Sequence, residues 1–435
     1  MWVSESLAEK GAGEAGMMAE ERQMQENRRK TVLKKIGIKW KKAGIFSLTL
    51  ALAQTLAPAA GAWGTVTAWA SPEFAYSTEK WETLRDNVLE YGELAALIHE
   101  YNATIINNRL EYDDYRGKSH DDMKNAYQDI ADKLYDSSDK MMDSVNEDQD
   151  TYAGTQVGAI SARLQAEQNQ ELADSQNEDG RVKKLEYDRQ EAVLVKEAQT
   201  NMISYWQKAK ERPGLEENVN QARSEYDAMA VKAGQGMATE AQLLSAREKM
   251  ESAQAALETN DRERDGLRRQ LCVMTGWSHD AQPDIREVPI PAAQEMDSID
   301  LEADKETALD SNFTQTANER RLTFTGNGTQ WDVMNQKVET GRRQIMADME
   351  AKYKLLEQAR ADYLQAEGEL ELAQTNAQSA ERRYSLGMIS QNAYTQQQGG
   401  LAGKQSARDV AGLKYRQAME DYRWAVNGLA QTEGA

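Results

Sequence analysis

The residues with the widest chemical range are few in this chain. It has three histidines, His99, His120 and His279, and one cysteine, Cys272. No two histidines stand at a metal-ligand spacing, so they read as ordinary surface or helix residues. Cys272 has no partner for a disulfide, and its place beside Leu271 predicts a small core residue. There is no phosphate-binding loop, no Gly-x-Ser-x-Gly elbow and no cysteine pair. The carboxylates are numerous but scattered over helical pattern, where they pair at i, i+4 or face water. The sequence therefore points away from an enzyme, a metal and a cofactor. Two short stretches remain, and their chemistry is that of capping and contact. The first holds Gly234, Gly236, Met237 and Thr239; the second holds Gly387, Met388 and Ser390. Gly236 and Gly387 stand where a helix ends in a left-handed residue. Thr239 and Ser390 offer the oxygen that caps the next helix, and Gln242 completes a capping box with Thr239. Capping does not need a methionine between glycine and cap, but an adaptable contact surface uses one.

Each stretch lies between two seams of apolar and small residues. Leu356, Ala359, Tyr363, Ala366, Leu370, Ala373, Ala377, Ala380 and Tyr384 alternate by steps of three and four, as a heptad seam does. Ala411, Tyr415, Ala418, Tyr422, Ala425 and Leu429 resume it after the turn at 386–390. Upstream, Leu243, Ala246, Met250, Ala253, Leu257, Asn260, Arg264, Leu267, Leu271 and Met274 form the same pattern after the turn at 234–239, with two polar members. The unit is an antiparallel helical hairpin, and it occurs twice. The turns are offset by 151 positions, and each copy ends in a glycine, Gly276 and Gly428. A second echo matches Ala96-Leu97, Tyr101 and Arg109-Leu110 to Ala308-Leu309, Phe313 and Arg321-Leu322, at an offset of 212. The first copy thus carries about 61 extra residues, which marks duplication of a whole helical unit.

With only six prolines and four phenylalanines among 435 residues, the composition is that of long helices. The net charge of −20 argues against nucleic-acid binding. Residues 1–70 read as a disordered extension plus a secretion signal. Basic residues from Arg28 to Lys42 precede an apolar run from Ala43 to Ala62, and Ala68-Trp69-Ala70 is a small-x-small cleavage site. An uncleaved anchor is the alternative reading of that run. Residues 71–282 form the first helical repeat. Its parts are a helix from Ser77 to Arg116, a second from Asp121 to Val145, a turn at 146–154 and a long helix to Arg212. The polar stretch from Gln168 to Gly180 should weaken that long helix, and Pro213-Gly214 should break or kink it. Residues 283–297 are an extended proline-containing linker. Residues 298–435 form the second repeat, with a helix from Ile299 to Thr323 and a turn at Gly326-Asn327-Gly328.

Taken together, the chain from about Ser77 to Ala430 resembles the TolC-like outer membrane efflux proteins. The resemblance is carried by AERRYSLGMISQNAY in the second copy, by KAGQGMATEAQLLSAREKMESAQAAL in the first, and by the order of duplication, linker and turns. It implies an all-α protomer of duplicated long antiparallel coiled-coil hairpins, built into a TolC-like α-barrel. It also implies a homotrimer that docks a periplasmic adaptor protein of an export pump through the turns, with outer membrane association. The chain departs from the family in two ways. Family members often carry an acidic residue three positions after the turn Ser/Thr, where this chain has Gln242 and Ala393. Their membrane strands would fall near Asn146–Ser161 and Phe324–Gln330, where no two stretches of spanning length exist. The expected fold therefore has little or no β-structure, and a pore-less coiled-coil scaffold of the cell envelope is the competing reading. A third is a coiled coil anchored by Ala43–Ala62.

Overall fold

The structure is a computed structural model that describes residues 76–144 and 152–432. The signal expected at 1–70 and most of the turn expected at 146–154 lie outside the described residues. Thirteen segments matter below. They are α1 (Thr78–Thr83), β1 (Val88–Leu89), α2 (Leu94–Tyr101), α3 (Ala103–Tyr115), α4 (His120–Asp143) and α5 (Tyr152–Ser175). There follow α6 (Gly180–Gly234), α7 (Glu240–Met274), β2 (Asp284–Ile285), α8 (Leu301–Ser311), α9 (Phe313–Phe324) and α10 (Thr329–Ser385). The long helix α11 (Gln391–Trp424) closes the series and passes into a last turn at Ala425–Leu429.

The two long hairpins form as the seams predict. α6 pairs with α7, and α10 pairs with α11. Along α10, Leu356, Tyr363, Ala377 and Ala380 are buried, and Ala359, Ala366, Leu370 and Ala373 are half-buried. Small residues between large ones let the helices approach closely, which is how so alanine-rich a seam holds. Tyr363 stacks on Tyr415 across the second hairpin at 5.9 Å. Tyr384 alone leaves the seam, exposed near the turn. The two hairpins meet through α6 and α11, so the four helices lie in the order α7, α6, α11, α10. The contact is antiparallel: Lys196 bridges Asp421 at 2.8 Å, Lys210 bridges Asp409 at 3.7 Å, and Gly399 lies against Glu217.

Pro213 does not break its helix. α6 runs unbroken through it from 180 to 234. Proline removes the hydrogen bond to the Ala209 carbonyl and costs about 3 kcal/mol in a helix interior. Tertiary ties from the turn just before Pro213 to α7 and α11 offset that cost. Lys208 bridges Glu263 at 2.9 Å, Arg212 donates to Asp261 at 2.9 Å, and Ser406 donates to the Lys210 carbonyl at 2.5 Å. The break falls instead in the polar stretch, where α5 ends at Ser175 and α6 starts at Gly180.

The single helices expected at 77–116 and 299–323 are also interrupted. Asn102 and Asn312 have extended backbones, with ψ of 124° and 116°. Each caps the following helix, through the amides of Thr104 and Gln315. Each also donates its side-chain amide across the copy. Asn102 reaches the Met274 carbonyl and Asn312 the Ala430 carbonyl, both at 2.9 Å. The matching glycines close the same junction: Gly276 packs on Tyr101 and Gly428 on Ser311, both with positive φ. The two asparagine junctions correspond at an offset of 210, two short of the 212 of the sequence echo.

The extra residues of the first copy form α4 and α5, a third hairpin inserted between α3 and α6. In the second copy α9 turns directly into α10 through residues 325–328. The linker at 283–297 is packed, not free. β2 pairs in parallel with β1, and Ile285, Val288, Ala293 and Met296 are buried. These two-residue strands are the only ones among the described residues. The core falls into two clusters, one per copy. The first is centred on Leu94, Ile98, Met202, Ile203 and Leu271, and the second on Ile345, Met349, Leu356, Tyr415 and Tyr422.

Candidate functional site

The two turns share one backbone geometry. Gly236 and Gly387 have φ of +71° and +70°. In the first turn Met237 N–H donates to the Lys232 carbonyl at 2.8 Å and Gly236 N–H to Ala233 at 3.0 Å. In the second, Met388 donates to Arg383 at 2.8 Å and Gly387 to Tyr384 at 2.9 Å. This paired pattern satisfies the last carbonyls of α6 and α10, and it needs a left-handed residue. A Cβ on either glycine would meet no atom within 4 Å, so the backbone angle alone requires glycine. Gly234 differs: it is the last helical residue of α6 and has no such angle.

Caps start the outgoing helices. The Thr239 hydroxyl accepts from the Gln242 backbone N–H at 3.2 Å, and the Gln242 side-chain oxygen accepts from Thr239 N–H at 2.8 Å. Ser390 accepts from Ala393 N–H at 3.3 Å. Ala393 cannot reciprocate, so the second cap is half a box. In its place Tyr384 stacks on Tyr394, 4.8 Å apart and 9° from parallel, and the Tyr384 hydroxyl bonds Gln391. With glycine and cap fixed, the residue between them points outward. Met237 is 67% exposed, Met388 70%, and Leu386, just before the second glycine, 74%.

The fold brings both turns to one end of the molecule. Continuing the α6–α11 register sets Gly387 about six residues short of Gly236, a stagger of roughly 9 Å along the helices. Leu386 and the Tyr384–Tyr394 stack were not singled out in the sequence. The signal for the stack was available, since the two tyrosines bracket the turn at short distances, two positions before Leu386 and four after Ser390.

The opposite end of α6, about 80 Å away by its 55 residues, has its own cluster. There the root of the α4–α5 hairpin is clamped to the second copy. Arg320 grips both oxygens of Asp179, at 2.9 and 2.7 Å through Nε. Arg321 donates to Glu178 at 2.8 Å and also holds Glu186. His120 stacks on Phe324 at 4.6 Å. Desolvation pushes the Asp179 carboxyl upward, but bonds from Arg320 and the Val182 and Arg181 amides outweigh it and hold the group below the usual carboxylate range. These are structural contacts. Sequence spacing could not find them, because the ion-pair partners stand 135 to 143 positions apart and the stacked rings further still.

The other reactive residues are accounted for by packing. His99 is buried, with Nδ1 2.7 Å from Glu191. Cys272 is fully buried, and burial pushes its thiol pKa up. Among the described residues no cluster of His, Cys, Asp and Glu could hold a metal, and no helix is long and apolar enough to cross a membrane.

No known family profile and no curated protein matches the chain. Solved structures do. A membrane protein of Pseudomonas aeruginosa is 11% identical, with 78% of this chain and 90% of that chain covered and a TM-score of 0.47. The outer membrane protein VceC of Vibrio cholerae is 8% identical, over 78% of this chain and 97% of that one, at a TM-score of 0.42. The Campylobacter jejuni CmeC outer membrane channel is 11% identical, over 88% and 95%, at 0.43. At these values they are distant likenesses in overall chain path.

Proposed function

We propose that the chain is a component of an export conduit in the cell envelope, assembled as a homotrimer and docking a periplasmic adaptor protein through its two hairpin turns. The sequence resemblance to TolC-like proteins motivates this reading. One observation carries it: two copies of the same glycine-terminated turn, at the same end of the molecule, each present an exposed methionine that no seam uses. An edge-to-edge layer of four helices with open edges at α7 and α10 suits a ring made by repeating the chain. The deciding experiment is co-purification of an adaptor with wild type and with Met237→Asp/Met388→Asp. The double variant should fold normally and lose the adaptor, because a carboxylate buried unpaired against a partner costs several kcal/mol. Equal capture would retire tip docking and leave the turns as caps.

A second reading is a pore-less envelope scaffold with no outer membrane crossing. It is favoured by what stands at the two positions where family members have membrane strands. One holds the α4–α5 helical hairpin and the other the short turn at 325–328. Single-channel conductance in a planar bilayer separates the two readings, since a scaffold gives none.

A further inference from the structure

A cavity of about 530 Å³ lies at the junction of the two copies, between α6, α9 and the start of α10. Sites for small molecules run to roughly 300–1,000 Å³. One part of its wall is apolar: Leu185 from α6, Phe313 and Ala317 from α9, and Met334 from α10. The rest is polar, and its donors outnumber its acceptors. The one carboxylate in the lining, Glu186, is already taken. Arg321 holds one of its oxygens, and Lys183 donates to the other at 3.3 Å. Asn318 also lines the cavity and is 2% exposed. Its side-chain oxygen accepts from Arg321 at 3.2 Å. An arginine only donates, so this bond fixes which end of the amide is oxygen. The NH2 end is left over, with no partner among the described residues. Two cations are left over as well. Arg189 comes from the first copy and Lys337 from the second, and both are half-buried in the lining. Neither makes an ion pair or a side-chain hydrogen bond among the described residues. Beside them, Lys183 and Arg321 are each held by a carboxylate. A half-buried cation without a partner is unfavourable, and a chain of net charge −20 has no shortage of acids to pair one.

We propose that this cavity binds a small organic anion, a carboxylate or phosphate head on an apolar body. Arg189 and Lys337 neutralise the head, and the Asn318 NH2 donates to it. The planar guanidinium of Arg189 suits two oxygens of one head at once. The body lies against Leu185, Phe313 and Met334. A bare inorganic ion leaves that wall unused, and a neutral apolar molecule leaves the cations unpaired. Because the contacts come from both copies, an occupied site ties α6 to α9 and α10, and binding stabilises the fold by mass action. The site requires neither the conduit nor adaptor docking.

The test is titration calorimetry of the full chain with octanoate, inorganic phosphate and octanol, beside a thermal melt in each. Octanoate should bind saturably and raise the melting temperature. Phosphate and octanol should each bind more weakly than octanoate. Arg189→Gln and Lys337→Gln should each weaken octanoate about tenfold, the size of one charge-assisted hydrogen bond. Without ligand, both variants should melt no lower than wild type, because each removes an unpaired charge. A loss of binding is then not a loss of fold. Equal octanoate binding by wild type and both variants overturns the proposal, and so does phosphate binding as tightly as octanoate. Co-sedimentation with phosphatidylglycerol vesicles separates the sources of the anion. Vesicle binding that both variants lose upholds the site and gives the head to a lipid. Octanoate binding without vesicle binding upholds it with a soluble anion. Binding of neither octanoate nor vesicles overturns it.

Discussion

At the scale of single residues, the glycines separate into two kinds. Gly236 is held by backbone angle alone, with open space around it. Gly236→Ala should cost about 1–2 kcal/mol, the strain of a left-handed residue with a Cβ. Gly276 has the same kind of angle, and a Cβ there would also collide with Tyr101. Gly276→Ala should cost clearly more, and denaturant midpoints of the two variants should rank in that order. Asp179 gives a pH signature. Its folded pKa is lowered, so its contribution is complete above the unfolded value of about 3.9 and is lost as pH falls through the folded value. Asp179→Asn should therefore flatten the acid limb of a melting-temperature profile below about pH 4, with the largest difference from wild type near neutrality.

At the scale of elements, the seams and the junctions do different work. Leu356 is fully buried between α10 and its neighbours. Leu356→Ala should destabilise by about 2–5 kcal/mol, the range for a cavity in a packed core. Pro213 tests the reverse case. It is exposed and lies inside a continuous helix. Pro213→Ala restores a backbone donor at no packing cost and should raise the melting temperature. A fall would mean that α6 needs the bend that proline imposes. The asparagine junctions matter because each side chain both starts a helix and satisfies a buried carbonyl. The same device in both copies marks it as part of the duplicated unit.

At the scale of the whole molecule, one chain leaves apolar surface on three edges: α7, α10 and the inserted hairpin. Exposed large residues recur there, among them Leu244, Leu355, Leu372 and Leu164. Apolar surface of this extent favours association. Sedimentation of the full chain at micromolar concentration should show a trimer, and a persistent monomer would count against the conduit. The net charge of −20 keeps separate assemblies apart in solution without favouring any nucleic-acid partner.

The sequence by itself determined the long hairpins, their turns and their duplication. These are local matters. A heptad seam, a left-handed glycine and a capping hydroxyl act within a few residues, and Gly236-Met237-Ala238-Thr239 shows all its chemistry in four letters. The burial of Cys272 was legible for the same reason, from its place beside Leu271 on a seam. What needed the tertiary structure was everything decided across distance. Pro213 looked like a break because helix propensity is read locally, but ties to α7 and α11 hold the helix through it. Asn102 and Asn312 were silent in the sequence because their second partners, Met274 and Ala430, stand 172 and 118 positions away. The extra residues, 61 by the sequence echo and 59 by the asparagine junctions, could be counted but not placed. Only the paired α4 and α5, with alanine inside and leucine outside, show that the insertion is a third hairpin whose apolar face has no partner within its own chain among the described residues.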